Sequence, residues 1–336
     1  MGGALDGHLL AHALADPTSV VSLDSTGWQA LLTMARAELL SATLAHRLDG
    51  IAKPAAARRF LDDARASCDQ GRLVALWEVE MARRALADLG VPVVLLKGSA
   101  FIAGGLAAGQ GRFVGDLDIL VPRAALDRVE AALIGAGWEW VKPDPYDDAY
   151  YRRWMHELPP LIHRERDRMI DVHHTILPLT ARPRPDADAL IADALPLENG
   201  LRILNPNDMI CHAAAHLFAD GDLSGGMRNL WDIHCLIDEF DGAGLAERAD
   251  RHGLASAVRR ALRLAHALYD TPLPNGWRRS ESGDGFYLRR LAARDGWGRQ
   301  TRPITRFGFY ARSHWLRMPP LMLARHLWTK WRKGVG

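Results

Sequence analysis

Apolar residues recur at helical spacing through residues 1–90. Trp28, Leu31, Leu32, Ala35, Leu39 and Leu40 form one series, and Leu73, Leu76, Val79, Ala82 and Leu86 another. The pattern changes at Gly90-Val91-Pro92. Residues 91–96 are a short continuous apolar run of strand type, ended by Lys97-Gly98-Ser99. A small-residue helix is expected over 99–108, weakened by Gly104-Gly105. Residues 117–121 read as a second strand closed by Pro122, and 124–134 as a helix with Leu126, Val129, Ala132 and Leu133 on one face. A short strand at 138–141, a polar loop at 142–150 and two strands at 161–163 and 169–175 follow. Helices return at Asn205-Pro206, a cap residue with proline in the first turn. The first carries Met209, Cys211, His212, Ala215, His216 and Phe218; others are expected at 227–240 and near 254–269 and 284–294. The expected fold class is therefore α+β, a mixed-sheet core flanked by helical regions. Its expected divisions are a helical region at 1–89, the core at 90–180, a helical domain at 181–295 and a tail at 296–336.

Composition narrows the class without naming a chemistry. The chain has 336 residues, 48% apolar and 24% charged, which excludes a disordered or fibrous protein. Cys68, Cys211 and Cys235 are odd in number and form no CxxC pair, which argues against a disulfide framework or zinc ribbon. Residues 1–17 lack a basic n-region, and no run of 18 apolar residues occurs, so neither a signal peptide nor a membrane span is expected. A cytoplasmic setting is the expectation.

The net charge of +2 conceals a split. Residues 296–336 hold nine Lys and Arg and no acid, so the rest of the chain, with 33 basic and 40 acidic residues, carries −7. Phe307, Phe309, Tyr310, Trp315, Trp328 and Trp331 are interleaved with those arginines. Beyond Pro319-Pro320, Leu321, Leu323, Ala324, Leu327, Trp328 and Trp331 fit one amphipathic face edged by Arg325, Lys330 and Arg332. Three readings stay open for this tail. It docks on the protein's own acidic body, it holds the protein to an anionic membrane surface or a partner, or, least favoured, it contacts nucleic acid through phosphate and stacking.

The most informative segment runs from Lys97-Gly98-Ser99 across sixteen residues to Asp116-Leu117-Asp118-Ile119-Leu120-Val121. On a strand Asp116 and Asp118 project to one face and Leu117, Ile119 and Val121 to the other. Two neighbouring carboxylates call for a cation, and a hard divalent ion such as Mg²⁺ is the usual one. The Gly98-Ser99 turn enters a helix, where backbone amides favour phosphate. Asp171, in Met169-Ile170-Asp171-Val172-His173-His174, supplies a third carboxylate if its strand lies beside Asp118, and His173 shares its face. A phosphate cradle beside such acids suits metal-assisted phosphoryl or nucleotidyl transfer.

This ordered set resembles the DNA polymerase β-type nucleotidyltransferase superfamily and, within it, a family of uncharacterised bacterial nucleotidyltransferases. The resemblance rests on Leu96-Lys97-Gly98, on Arg112 four residues before Asp116-Leu117-Asp118, and on Ile170-Asp171-Val172-His173. It spans about 90–235, with His212, His216 and Asp232 as downstream matches. Two departures are a longer Ser99–Asp116 spacer than the minimal superfamily pattern and His174 where the family often has Trp. The resemblance implies a nucleotidyltransferase core using Mg²⁺ or Mn²⁺ and a nucleoside triphosphate, chiefly ATP. Asp116, Asp118 and Asp171 would be catalytic metal ligands, with Asp171 also the base. Lys97, Gly98, Ser99 and Arg112 would bind nucleotide, and His173 would support a ligand. The acceptor hydroxyl stays unassigned among small molecules, peptides, proteins and nucleic-acid ends. The alternative is a non-catalytic nucleotide-binding or scaffold module of the same fold.

Competing local readings remain for single residues. Lys97 fits a phosphate or a core acid equally well, and Arg112 fits a triphosphate clamp or a solvated loop. His212 and His216 have zinc-helix spacing without the glutamate of a metalloprotease, and inter-helix hydrogen bonds suit them better. No Walker A run, Rossmann fingerprint or nucleophile elbow is present.

Overall fold

A computed structural model describes residues 5–142, 144–219, 221–274, 276–277, 281–317 and 328. Four helices come first: α1 (Gly7–Ala15), α2 (Ser25–Ala37), α3 (Ser41–Arg47) and the long α4 (Ala55–Leu86). The α/β segment follows as β1 (Val94–Leu95), α5 (Lys97–Ala103), β2 (Leu117–Leu120), α6 (Leu126–Gly135), β3 (Trp138–Trp140), α7 (Pro145–Trp154), β4 (Leu161–His163) and β5 (Met169–His173). Then come α8 (Ala187–Ala192), β6 (Leu195–Pro196), β7 (Arg202–Ile203), α9 (Pro206–Ala219), α10 (Gly226–Phe240), α11 (Leu245–Arg251), α12 (Ala255–Tyr269), α13 (Asp284–Leu291) and α14 (Pro303–Arg317). The α+β class with helical flanks is as expected.

The seven strands form one mixed sheet in the order β3-β4-β5-β2-β1-β7-β6. The β2/β5 and β1/β7 pairs are parallel and the others antiparallel. Every residue of β2 is buried, because helices cover the sheet: α4 packs on β2, α5 and α6, and α5 packs on β1, β2 and α9. Asn205 caps α9 as its sequence predicts, its Oδ1 accepting the Asp208 amide at 3.0 Å.

Elements α5, α7, β6 and β7 differ from the sequence expectation for physical reasons. The polar stretch 142–150 is mostly helix α7, started by Asp144, whose side chain accepts the amides of Tyr146 and Asp147, with Pro145 next. This helix buries none of its residues, so it has no apolar stripe to announce it. The helix after β1 begins two residues early, at Lys97, and ends before Gly104. Strands β6 and β7 are two residues each, too short to alternate, and they carry the sheet past residue 180 to 203.

The three cysteines are buried and free, and no helix among the described residues is long and apolar enough to cross a membrane. The first part of the basic tail lies on the body. Phe309 is buried against Phe286 and Tyr287, and Arg302 donates to the Arg289 carbonyl at 2.8 Å and approaches Asp6 at 3.5 Å. The amphipathic face expected after Pro319-Pro320 lies, apart from Trp328, outside the described residues.

Candidate active site

The register of β2 and β5 builds the centre of the site. The two strands run parallel with Asp118 opposite Asp171 and Leu120 opposite His173. Ile170 and Val172 are buried in the core, so alternation turns Asp171 and His173 to the other face, where Asp118 projects. Asp116 lies one residue before β2, in an exposed bend.

Lys97 joins this group from the β1–α5 junction. Its φ of 50° is left-handed, a conformation that costs a non-glycine residue about 1–2 kcal/mol. From there its Nζ donates to Asp118 Oδ1 at 2.8 Å. The same oxygen accepts from His173 Nε2 at 3.0 Å, and Oδ2 takes neither donor. The acid pairing open to Lys97 is thus made, with Asp118.

Gly98 has a packing reason to be glycine. A Cβ there would lie 2.8 Å from a Val114 methyl and 2.9 Å from Arg112 Nε. The 112–114 loop therefore rests directly on the start of α5. Arg112 is not a solvated loop arginine: its side chain is 15% exposed, and its guanidinium donates to buried Asp232 on α10 and lies over the Phe101 ring. Arg228 approaches the other oxygen of Asp232 at 3.5 Å.

Lys97, Arg112, His212, His216, Asn229 and Asp232 contribute to the wall of a small cleft of about 40 Å³ between α5, α9 and α10. A second, smaller recess of about 10 Å³ is lined by Ser99, Gly115 and Asp116, with Glu78 from α4. The sequence-predicted residues are thus gathered around the start of α5, but on two recesses. Asp118, Lys97 and His173 touch, Asp171 lies beside them in register, and Asp116 and Ser99 line the second recess.

The charges at the centre are unbalanced. Burial opposes ionisation of Asp118, but the Lys97 charge and the His173 hydrogen bond outweigh it and hold its carboxyl well below the usual range. Its neighbours move the other way. Burial, then the Asp118 charge, then that of Asp116 push Asp171 up to about 7, with Lys97 opposing. Asp116 is also raised, by burial and by Asp118. Burial lowers both His173 and His212, the latter well below the ordinary imidazole range with the Lys97 charge adding to it. Such a cluster fits a divalent cation, because added positive charge would relieve both raised carboxyls.

Sequence reasoning missed His156 and Glu157, which pair with the end of β5. Glu157 sits opposite His173 in an antiparallel bridge, the Leu158 amide donates to the Val172 carbonyl at 2.9 Å, and the His174 amide donates to the His156 carbonyl at 2.9 Å. No local pattern marks a single bridge between residues this far apart; the signal was only an adjacent His-Glu pair in a polar stretch. Among the described residues, the trio of His, Cys, Asp or Glu with donor atoms within 4.8 Å of one another is His156, Glu157 and His173. Asp116, Asp118 and Asp171 do not form such a trio among the described residues, nor do His212 and His216 belong to one.

A family profile described as uncharacterised nucleotidyltransferase matches residues 24–270, or 247 of the 336 residues. The chain belongs to that family. The match is wider than the 90–235 motif region and takes in α2, α4 and α12. No curated protein matches the chain.

Proposed function

We propose that this member of the nucleotidyltransferase family moves a nucleoside monophosphate from a nucleoside triphosphate, chiefly ATP, to an acceptor hydroxyl, releasing pyrophosphate. The reading extends the family assignment to a polymerase β-type reaction with three carboxylates. The observation that carries it is the Asp118–Asp171 register pair beside Asp116, with two carboxyls of the three raised by burial and mutual repulsion.

In this reading Asp116, Asp118 and Asp171 hold Mg²⁺ or Mn²⁺. The bound ions would supply Lewis-acid stabilisation of charge at the α-phosphate. Lys97 and His173 fix Asp118 through one oxygen and leave its second for the cation. The ionised carboxylate of Asp171, its proton affinity raised by burial and by the Asp118 charge, takes the proton of the acceptor hydroxyl. Lys97, Gly98, Ser99 and Arg112 bind the triphosphate. Lys97 and Arg112 keep their positions through Asp118 and Asp232, so they are oriented before substrate arrives and need little reorganisation.

The test is calorimetry of a non-hydrolysable ATP analogue with and without Mg²⁺, run beside a pyrophosphate-release assay over an acceptor panel. The reading expects metal-dependent nucleotide binding and pyrophosphate release, both lost in Asp118→Asn. Binding unchanged by Mg²⁺ and by Asp118→Asn would overturn it. Nucleotide binding with no pyrophosphate release on any acceptor would favour the non-catalytic module.

A further inference from the structure

His173 has two ring nitrogens with different surroundings. Nε2 bonds Asp118 Oδ1 at 3.0 Å, and since a carboxylate can only accept, this nitrogen carries the proton. Nδ1 is buried, makes no hydrogen bond, and faces Glu157 Oε2 at 3.5 Å. In the neutral ring Nδ1 is then a lone pair directed toward a carboxylate oxygen. The residue is 1% exposed, so water does not relieve the encounter.

The same Glu157 oxygen lies 3.6 Å from His156 Nε2, and the two imidazoles stand 5.1 Å apart between centroids. A tetrahedral zinc with ligands at about 2.0–2.1 Å separates its donors by roughly 3.4 Å. Both measured separations from Glu157 are close to that. The backbone fixes the arrangement, because Glu157 is held opposite His173 by the bridge at the end of β5.

We infer that His156, Glu157 and His173 form a second metal site, for a zinc-class divalent ion bound by two imidazoles and one carboxylate with its fourth position open. Mixed nitrogen and oxygen donors favour zinc, cobalt or nickel over magnesium, which prefers oxygen alone. His173, held by Asp118 on its far nitrogen, has the carboxylate–histidine–metal arrangement common to protein metal sites. His156 and Glu157 side chains are 19% and 18% exposed, which gives an entry path and leaves the open position toward solvent. The site meets the carboxylates proposed to hold Mg²⁺ only through the His173 Nε2–Asp118 hydrogen bond, and its existence does not depend on nucleotidyl transfer.

The probe is Co²⁺, titrated into the metal-free full-length protein without nucleotide. The visible ligand-field bands of a four- or five-coordinate ion are expected to saturate at one ion per chain. Zn²⁺ should abolish them in competition and Mg²⁺ should not. His156→Ala and Glu157→Gln are each expected to weaken Co²⁺ binding tenfold or more, whereas Asp171→Asn should leave the bands in place. Melting curves serve as the second readout: Zn²⁺ should raise the melting temperature of the native protein and not of these two variants. The inference is overturned if no bands appear, if they survive in the His156→Ala, Glu157→Gln double variant, or if nitrogen-15 spectra with equimolar Zn²⁺ show His173 protonated on both nitrogens. Those results would leave Mg²⁺-dependent nucleotide binding untouched, so the two readings fail separately.

Discussion

Asp208 and Asp171 are aspartates in the same chain with opposite surroundings. Asp208, at the start of α9, has no exposed surface. Arg248 donates to both of its oxygens, His252 Nε2 lies 2.9 Å from Oδ1, and Asn205 donates to Oδ2 at 2.7 Å. Burial alone would raise its carboxyl, yet His252 and Arg248 hold it below its usual range. Asp171 faces two other carboxylates, and the nearest cation, Lys97, is bonded to Asp118. The helical half neutralises its buried acid with protein groups. The sheet leaves negative charge in excess, a cost to folding that the proposed cation would relieve. On the proposed reading, that contrast separates a structural acid from a metal-holding one better than burial does.

The largest expected break of the comparison is catalytic. Asp118→Asn should lower nucleotidyl transfer on the order of 10³-fold, about 4 kcal/mol of lost transition-state stabilisation. Steady-state assays with the protein shown folded by circular dichroism would check it. Arg248→Ala is the matching break in the helical half. It strands a buried carboxylate and should destabilise the fold by about 3–5 kcal/mol, read by denaturant melts, while turnover per folded molecule stays unchanged.

Smaller effects sharpen the contrast. Asp171→Asn removes one of three like charges and should raise the melting temperature of the metal-free protein by about 2–4 °C while abolishing turnover. A lower melting temperature would show that Asp171 is a structural acid like Asp208. The two aspartates should also differ in pH dependence. Asp208 has a folded pKa below its ordinary 3.8, so its contribution is complete above that pH and is lost as the pH falls through the folded value. Asp171 has a folded pKa of about 7 against 3.8. Its contribution is complete below 3.8, declines as the pH rises toward about 7 and is flat above. Metal-free melts of native protein and Asp171→Asn from pH 4 to 8 should therefore diverge up to about pH 7 and then run parallel.

Where the chain has a strong local period, its structure was legible. The apolar alternation of 117–121 and 169–173 placed Asp118 and Asp171 on a common face, and Asn205-Pro206 marked the start of α9. What the sequence hid were pairings set by the fold. Strands β6 and β7 are too short to show a period, and α7 is capped but buries nothing. The partners of Arg112 and Lys97 come from α10 and β2, more than twenty residues away in each case. Gly98 looked like an opening for phosphate, and its immediate neighbours are Val114 and Arg112. His156 and Glu157 reach His173 through a single bridge, which no window of sequence can display.

The central claim is that the carboxylates on the β2/β5 face transfer a nucleotide with divalent metal. Its most direct test uses ATP labelled at the α-phosphate or at the γ-phosphate, with Mg²⁺ and a mixed small-molecule extract as the acceptor source. The account predicts that the α-label enters a new product while the γ-label leaves as pyrophosphate, both requiring Mg²⁺ and both absent with Asp118→Asn. Transfer of the γ-label to the product, or α-label incorporation that persists in Asp118→Asn, would contradict it.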